Sequence, residues 1–336
     1  MTSCPYCKAS LEPATAGLIA CSACMNPCVI EGFGTDLHAH FIKGVNDVRV
    51  IAGEGTIGGE ILKALPKALE ELPILPEVSQ RILQLLRDPE MTIQALASLI
   101  SQDQVIAIRV LRLANSAMYG GLQEIKDLNA ACARLGTRTI ANAVQAIANG
   151  NLYITGNPVL RENMSLLWRH AVATAHCAAE LAVATAEPRG DILFVAGLVH
   201  DIGRVVLLDI IANQYRGVLA DLRNSPELLG EVFAGYSPLI GLHVALKWKL
   251  PPEFRATTFF LRTPEAATDE STKVLINIVA VAEAIAETSG FGLGMELPSL
   301  LSLPSARALG MTDMKLAMVR ADLEDKLAPL LDVTAA

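Results

Sequence analysis

From Gly59 onward the apolar residues recur at helical spacing, and no stretch of useful length alternates as a half-buried strand would. Leu62, Leu65 and Leu69 share one helix face until Pro73 and Pro76 interrupt it in "LPILP". Val78, Ile82, Leu85 and Leu86 then line a second helix that ends near Asp88 and Pro89. Thr92 is placed to cap "IQALASLISQD", and the pattern runs on through "VIAIRVLRLAN" to Asn115. Gly136 stops "NAACARL", with Thr137 placed to cap "RTIANAVQAIAN". The second half is the same kind of text. Alanines 171, 173, 175, 178, 179, 182 and 184 would let helices approach closely there. The predicted fold is an all-α globule of roughly ten or more helices, with no repeat of fixed period.

Such a globule needs apolar material, and 52% of the 336 residues are hydrophobic against 18% charged. The balance of 35 acidic and 27 basic side chains, net charge -8, argues against a general attraction to nucleic acid or to an anionic membrane. The most apolar windows are broken by Asp201, Arg204 and Glu283, so none is expected to span a bilayer. The opening "MTSCPYCKAS" lacks a basic leader followed by an apolar run, so no secretory signal is expected, and cysteines clustered as for a metal, not spread as a disulfide framework, point to the cytoplasm.

Five of the seven cysteines fall within the first 28 residues. Cys4-x2-Cys7 and Cys21-x2-Cys24, separated by thirteen residues, have the spacing of two knuckles that present four thiolates to one tetrahedral Zn²⁺. Residues 1–34 therefore read as a zinc-ribbon-like module whose folding energy comes from a structural zinc. Cys28 could replace one ligand, and His38 and His40 read as exposed. Lys8 is the one basic residue in that stretch, so a structural or protein-contact role is favoured over phosphate tracking. Residues 35–58, with four glycines, read as a connector holding a short hairpin around "FIKGVNDVRVI", and residues 59–336 as the helical domain.

The run "LPILPEVSQRILQLLRDPEMTIQALASLISQDQVIAIRVLRLANSAMYG", followed by "EIKDLNAACARLGTRTIANAVQAIA", "LLWRHAVATA" and "GLVHDIGRVVL", resembles the HDOD family over roughly residues 65–290. The resemblance implies an all-helical fold related to HD-type phosphohydrolases. It also implies a module that acts mostly as a non-catalytic output or scaffold in signal transduction. HD enzymes hold divalent metal with a His, a His-Asp pair and a later Asp, and activate water against a phosphodiester. By this resemblance His170 matches the first ligand, His200 and Asp201 the pair, and Glu283 replaces the later Asp. Tyr236-Ser237 and Leu261-Arg262 stand where the HD-GYP relatives carry further ligands.

The His200-Asp201 pair sits in the middle of an apolar, helix-like run, where a charged group is costly without a partner. Two readings compete. One is a single metal held by His170, His200, Asp201 and Glu283. The favoured one is a buried polar network in which Asp201 bonds His170 or His200, or pairs with Arg204 or Arg262. His176 and His243 read as satisfied core or surface histidines, and Trp168 and Trp248 as core anchors. The functional expectation is a signalling module that binds a protein partner without turnover, the alternative being a metal-dependent phosphohydrolase acting on a nucleotide or cyclic dinucleotide. A nucleic-acid adaptor built on the ribbon is disfavoured by its charge.

Overall fold

The computed structural model describes Leu18–Ala20, Pro27–Val29 and residues 77–334 except 86–87, 89–90, 122, 159, 215–225, 268, 293–298 and 322. The expected zinc ligands Cys4, Cys7, Cys21 and Cys24, together with His38, His40, the connector and the Leu62–Leu69 helix, lie outside the described residues. Strands β1 (Leu18–Ala20) and β2 (Pro27–Val29) pair antiparallel, with Ile19 opposite Cys28.

Everything else that is described is helical or connecting. Five helices build the first layer: α1 (Glu77–Leu85), α2 (Ile93–Ile100), α3 (Gln104–Ala114), α4 (Leu128–Leu135) and α5 (Thr137–Gly150). Nine more follow: α6 (Arg161–Thr185), α7 (Gly190–Val199), α8 (Ile202–Gln214), α9 (Pro226–Lys247), α10 (Pro252–Phe260), α11 (Glu270–Ala286), α12 (Pro304–Ala308), α13 (Asp313–Arg320) and α14 (Leu323–Thr334). The caps explain the boundaries. Thr92 Oγ1 accepts from the Ala95 amide at 3.1 Å, as its position in the sequence predicts. What reads as one pattern through "ISQDQVIAI" is two helices, because the Asp103 carboxylate accepts from the Val105 and Ile106 amides and starts a new one. Gly136 does end α4, at φ 80°, a conformation that favours glycine. Thr137 is not the cap of the next helix: it is already the first residue of α5, and Gly136 occupies the cap position without a side chain to bond.

Asn115 closes α3. Its amide donates to the Leu111 carbonyl at 3.0 Å and to the Ile125 carbonyl at 2.8 Å, and its oxygen accepts from the Ile125 amide at 2.8 Å. One side chain thus ties the helix end to the far side of the "NSAMYG" turn. Asn115→Ala is expected to lower the unfolding free energy by about 1–2 kcal/mol, measured by urea denaturation, because three hydrogen bonds are lost around one turn.

The apolar residues segregate into two main clusters. Ile82, Leu96, Ile100, Leu113, Ile140 and Ile147 are the centre of the one formed by α1–α5. The larger one gathers the inner faces of α6 to α9 and of α11 to α14. Leu330 on α14 packs against both, so the C-terminal helix joins the two halves. Trp168 and Trp248 are both core residues, as expected. The stretch Glu270–Phe291 is long and apolar enough to cross a membrane by length and composition, a length that the sequence reading broke at Glu283. Of its most apolar window 61% is buried inside the fold, so its apolarity belongs to the core.

Candidate functional site at the helix 7 to helix 8 junction

His200 and Asp201 do not lie inside a continuous helix, as the apolar run suggested. Helix α7 ends at Val199, His200 is its C-cap, and α8 begins at Ile202. Two glycines bracket this corner. A Cβ on Gly197 would stand 2.7 Å from Cα of Ala175, so α6 and α7 cross backbone to backbone. A Cβ on Gly203 would run into the Ser237 carbonyl oxygen and lie 2.7 Å from the Gly241 amide, so α8 crosses α9 equally closely. The small residues of "GLVHDIG" press the corner into the core and aim its side chains at α6 and α11.

Three parts of the fold supply the four residues of the site. His170 from α6, His200 and Asp201 from the corner and Glu283 from α11 are all buried, and one ligand atom from each lies within 4.8 Å of the others. These are the four residues singled out by sequence. The ring nitrogens have defined roles, because carbonyls only accept: His170 Nδ1 donates to the Phe291 carbonyl at 3.0 Å, and His200 Nδ1 to the Gly197 carbonyl at 2.6 Å. Both Nε2 atoms therefore face the Asp201 carboxylate, at 3.7 Å from His170 and 3.3 Å from His200. This is the tautomer and second-shell pattern of metal-binding histidines.

Two guanidinium groups occupy the same space. Arg204 Nη1 lies 2.7 Å from Asp201 Oδ2, an ion pair without hydrogen-bond alignment, and its Nη2 lies 3.5 Å from Glu283 Oε1. Arg262 Nη2 donates to the same Glu283 oxygen at 2.6 Å. Two carboxylates thus face two permanent cations. Burial alone would raise the Asp201 carboxyl, but the charges of Arg204, His200 and His170 outweigh it and hold the group well below the usual carboxylate range. Glu283 is likewise held low, Arg262 and Arg204 overcoming its burial. Burial and the neighbouring His200 lower His170, whereas at His200 the Asp201 carboxylate overcomes burial and raises the imidazole. The site then holds one neutral and one protonation-prone imidazole.

A cavity of about 100 Å³ adjoins the cluster, lined by His200, Asp201, Arg204, Ser237, Leu261 and Arg262 among others. Ser237, Leu261 and Arg262 are thus where the resemblance to HD-GYP enzymes places extra ligands, but a hydroxyl, an aliphatic chain and a cation stand in for them. His176 and His243 take no part in the cluster. His176 Nε2 is buried with no hydrogen-bond partner among the described residues, which departs from the expected satisfied histidine. Sequence reading missed Glu287, whose carboxylate lies 4.0 Å from His170 Nδ1. Its signal was available, since Glu287 follows Glu283 by one helical turn. Gly197 and Gly203 were also legible as residues but not as crossings.

The sequence profile of the HDOD domain matches residues 72–264. The chain belongs to the HDOD family. An HDOD domain protein of unknown function from Geobacter sulfurreducens is 26% identical, with a TM-score of 0.65 over 82% of this chain and 98% of that one. Two more distant structures share the fold. One, from Marinobacter aquaeolei VT8, is provisionally named a signal transduction protein (18% identity, TM-score 0.65, 87% of this chain and 69% of that one). The other, from Shewanella amazonensis SB2B, is provisionally named a metal-dependent phosphohydrolase (24% identity, TM-score 0.55, 82% and 99%). An uncharacterized protein of Treponema pallidum (strain Nichols) is 26% identical over 231 residues, which span 66% of this chain but only 44% of that protein.

Proposed function

We propose that this HDOD protein is a non-catalytic signalling module, acting by binding a protein partner, whose HD-type centre is held together by its own cations. The observation that carries this reading is the pairing of Asp201 with Arg204 and of Glu283 with Arg262 at 2.7 and 2.6 Å. A divalent ion needs those carboxylate oxygens, and it would have to enter against two guanidinium groups already on them. The imidazoles and carboxylates suit a metal by donor type, but the resident cations oppose it. The fold neighbour named for signal transduction is consistent with this role. A phosphohydrolase is the second reading, supported by the two Nε2 atoms that converge on Asp201 as metal ligands do.

We further propose that the N-terminal cysteines Cys4, Cys7, Cys21 and Cys24 hold a structural zinc, with Cys28 as a substitute ligand. The antiparallel pairing of β1 with β2, which flank Cys21 and Cys24 in the chain, supports this reading.

One experiment addresses both sites. Metal content of the purified chain should show zinc that disappears in the Cys4→Ser/Cys21→Ser variant and no other bound ion. No hydrolysis of cyclic dinucleotides is expected with added Mn²⁺ or Fe²⁺. One ion per chain that survives the cysteine variant, is lost on His200→Ala and accompanies hydrolysis would instead establish the phosphohydrolase.

A further inference from the structure

The C-terminal helix closes the seam between the two halves of the molecule. It packs on α3 and α5 in the first layer and on α6 in the second. Leu323 and Leu327 are buried in the larger apolar cluster, while Leu330 touches both clusters. At its far end Thr334 Oγ1 accepts a hydrogen bond from Trp168 Nε1 of α6 at 3.0 Å. The helix does little to hold itself together, because Pro329 in its interior has no amide to donate to the Asp325 carbonyl. Docking on α3, α5 and α6 is what keeps it in place.

His176 of α6 sits at this docking surface, within Coulomb range of Lys326 on α14. Its Nε2 is buried and has no hydrogen-bond partner among the described residues. A neutral imidazole tolerates that position, since an unprotonated ring nitrogen is only an unpaired acceptor. A protonated one would bury a charged N–H with nothing to receive it. The charged groups that act on the ring are Glu180, one turn along α6, and Lys326. Glu180 also lies within range of the buried Tyr119 phenol of the "NSAMYG" turn, so this one carboxylate faces both rings. The neighbouring Cys177 thiol is pushed by burial up to about 12 and stays uncharged. Helices α7 and α11 also pack on α6, but among the described residues no charged group of either acts on His176. Burial, helped by Lys326, outweighs Glu180 and holds the imidazole below the usual histidine value.

We propose that His176 is a proton-operated latch for the C-terminal helix: neutral, it lets α14 dock across the seam between the two apolar clusters, and protonated, it releases α14 and uncovers that seam. The sign follows from the two states. Undocked, His176 meets water and takes up a proton near the ordinary histidine value of about 6.5. Docked, it stays neutral to lower pH. Docking is therefore at full strength above about pH 6.5 and weakens as pH falls below it, because the undocked state binds the extra proton. The latch is separate from the His170–Asp201 cluster and does not depend on whether that cluster holds metal.

Hydrogen exchange of the full chain, corrected for the intrinsic pH dependence of amide exchange, tests the assignment. Between about pH 7.5 and about pH 5.5 the opening constant of the α14 amides should rise about tenfold, as uptake of one proton by the undocked state requires. Amides of α7 and α11 should not follow. His176→Asn and His176→Leu, neither of which can take up a proton, should remove the rise, and Lys326→Met should shrink it by relieving the repulsion. In the native chain, NMR of the His176 imidazole should show no titration near 6.5, a measurement that needs no variant to fold. The proposal is overturned by an α14 opening constant independent of pH, by a rise that persists in both His176 variants, by a rise shared equally with α7 and α11, or by a His176 that titrates at the ordinary value.

Discussion

Gly203→Ala is expected to abolish most of the cooperative unfolding transition, because the added methyl has nowhere to go. It would overlap the Ser237 carbonyl oxygen and stand 2.7 Å from the Gly241 amide, and both are backbone atoms of a helix. A side chain can change rotamer to admit a methyl group, whereas a helix backbone must move as a body. Moving α9 away from α8 would also open the core around Val206, Ile240 and Val244, all of which are buried. Overpacking of this kind costs about 3 kcal/mol or more, a large part of the 5–15 kcal/mol typical of domains. Urea denaturation followed by circular dichroism measures the loss, and Gly156→Ala is the control, since no atom lies within 4 Å of a Cβ there. A Gly203→Ala protein as stable as wild type would mean that the α8–α9 crossing is looser than described, and the corner bearing Asp201 with it.

The second large effect is expected from Asp201→Ala. Arg204, its partner at 2.7 Å, has a side chain only 6% exposed, and Glu283 already shares its nearest oxygen with Arg262. Removing the carboxylate strands a buried cation, a change that costs about 3–5 kcal/mol where one member of a buried pair is deleted. Removing both charges is different. Asp201→Leu combined with Arg204→Met should recover most of the loss, since apolar replacements of a buried pair are often neutral or stabilising. Together with the Asp201→Leu and Arg204→Met single variants, the double variant completes a cycle that isolates the pair. A catalytic centre would respond in the opposite direction: with metal absent, deletion of a ligand relieves repulsion among clustered acceptors and stabilises the fold. The sign of the change at Asp201 therefore separates a cation-filled remnant from a metal centre waiting for its ion.

The local features were readable because local physics sets them. Thr92 caps α2 through an amide three residues away, Gly136 ends α4 because only glycine enters φ 80° easily, and Asn115 bonds its own turn. The pairing of Asp201 with Arg204 was also within reach, since the two are three residues apart. The break between α7 and α8 was not. Periodicity in "GLVHDIGRVVLL" is apolar on every side, and a run that is hydrophobic all round carries no signal for where a buried helix turns. Thr137 was misread for a similar reason: a residue suited to capping is also a tolerable first residue, and the glycine before it decided.

The amino-acid sequence by itself determined the helical class, the family, the four residues of the cluster and the two arginines available to pair with its carboxylates. Each is written in the type and spacing of residues. Tertiary structure alone decided which arginine neutralises which carboxylate, that the Phe291 carbonyl orients His170 with Glu287 4.0 Å from the same nitrogen, and that Tyr153, Trp168 and Phe291 meet across from α14 in one recess. Such contacts join residues up to 166 positions apart, as where Trp168 Nε1 donates to Thr334 Oγ1 at 3.0 Å. Their geometry is set by how closely helices cross, at Gly197 on Ala175 and at Gly203 on Ser237, which a one-dimensional pattern does not encode.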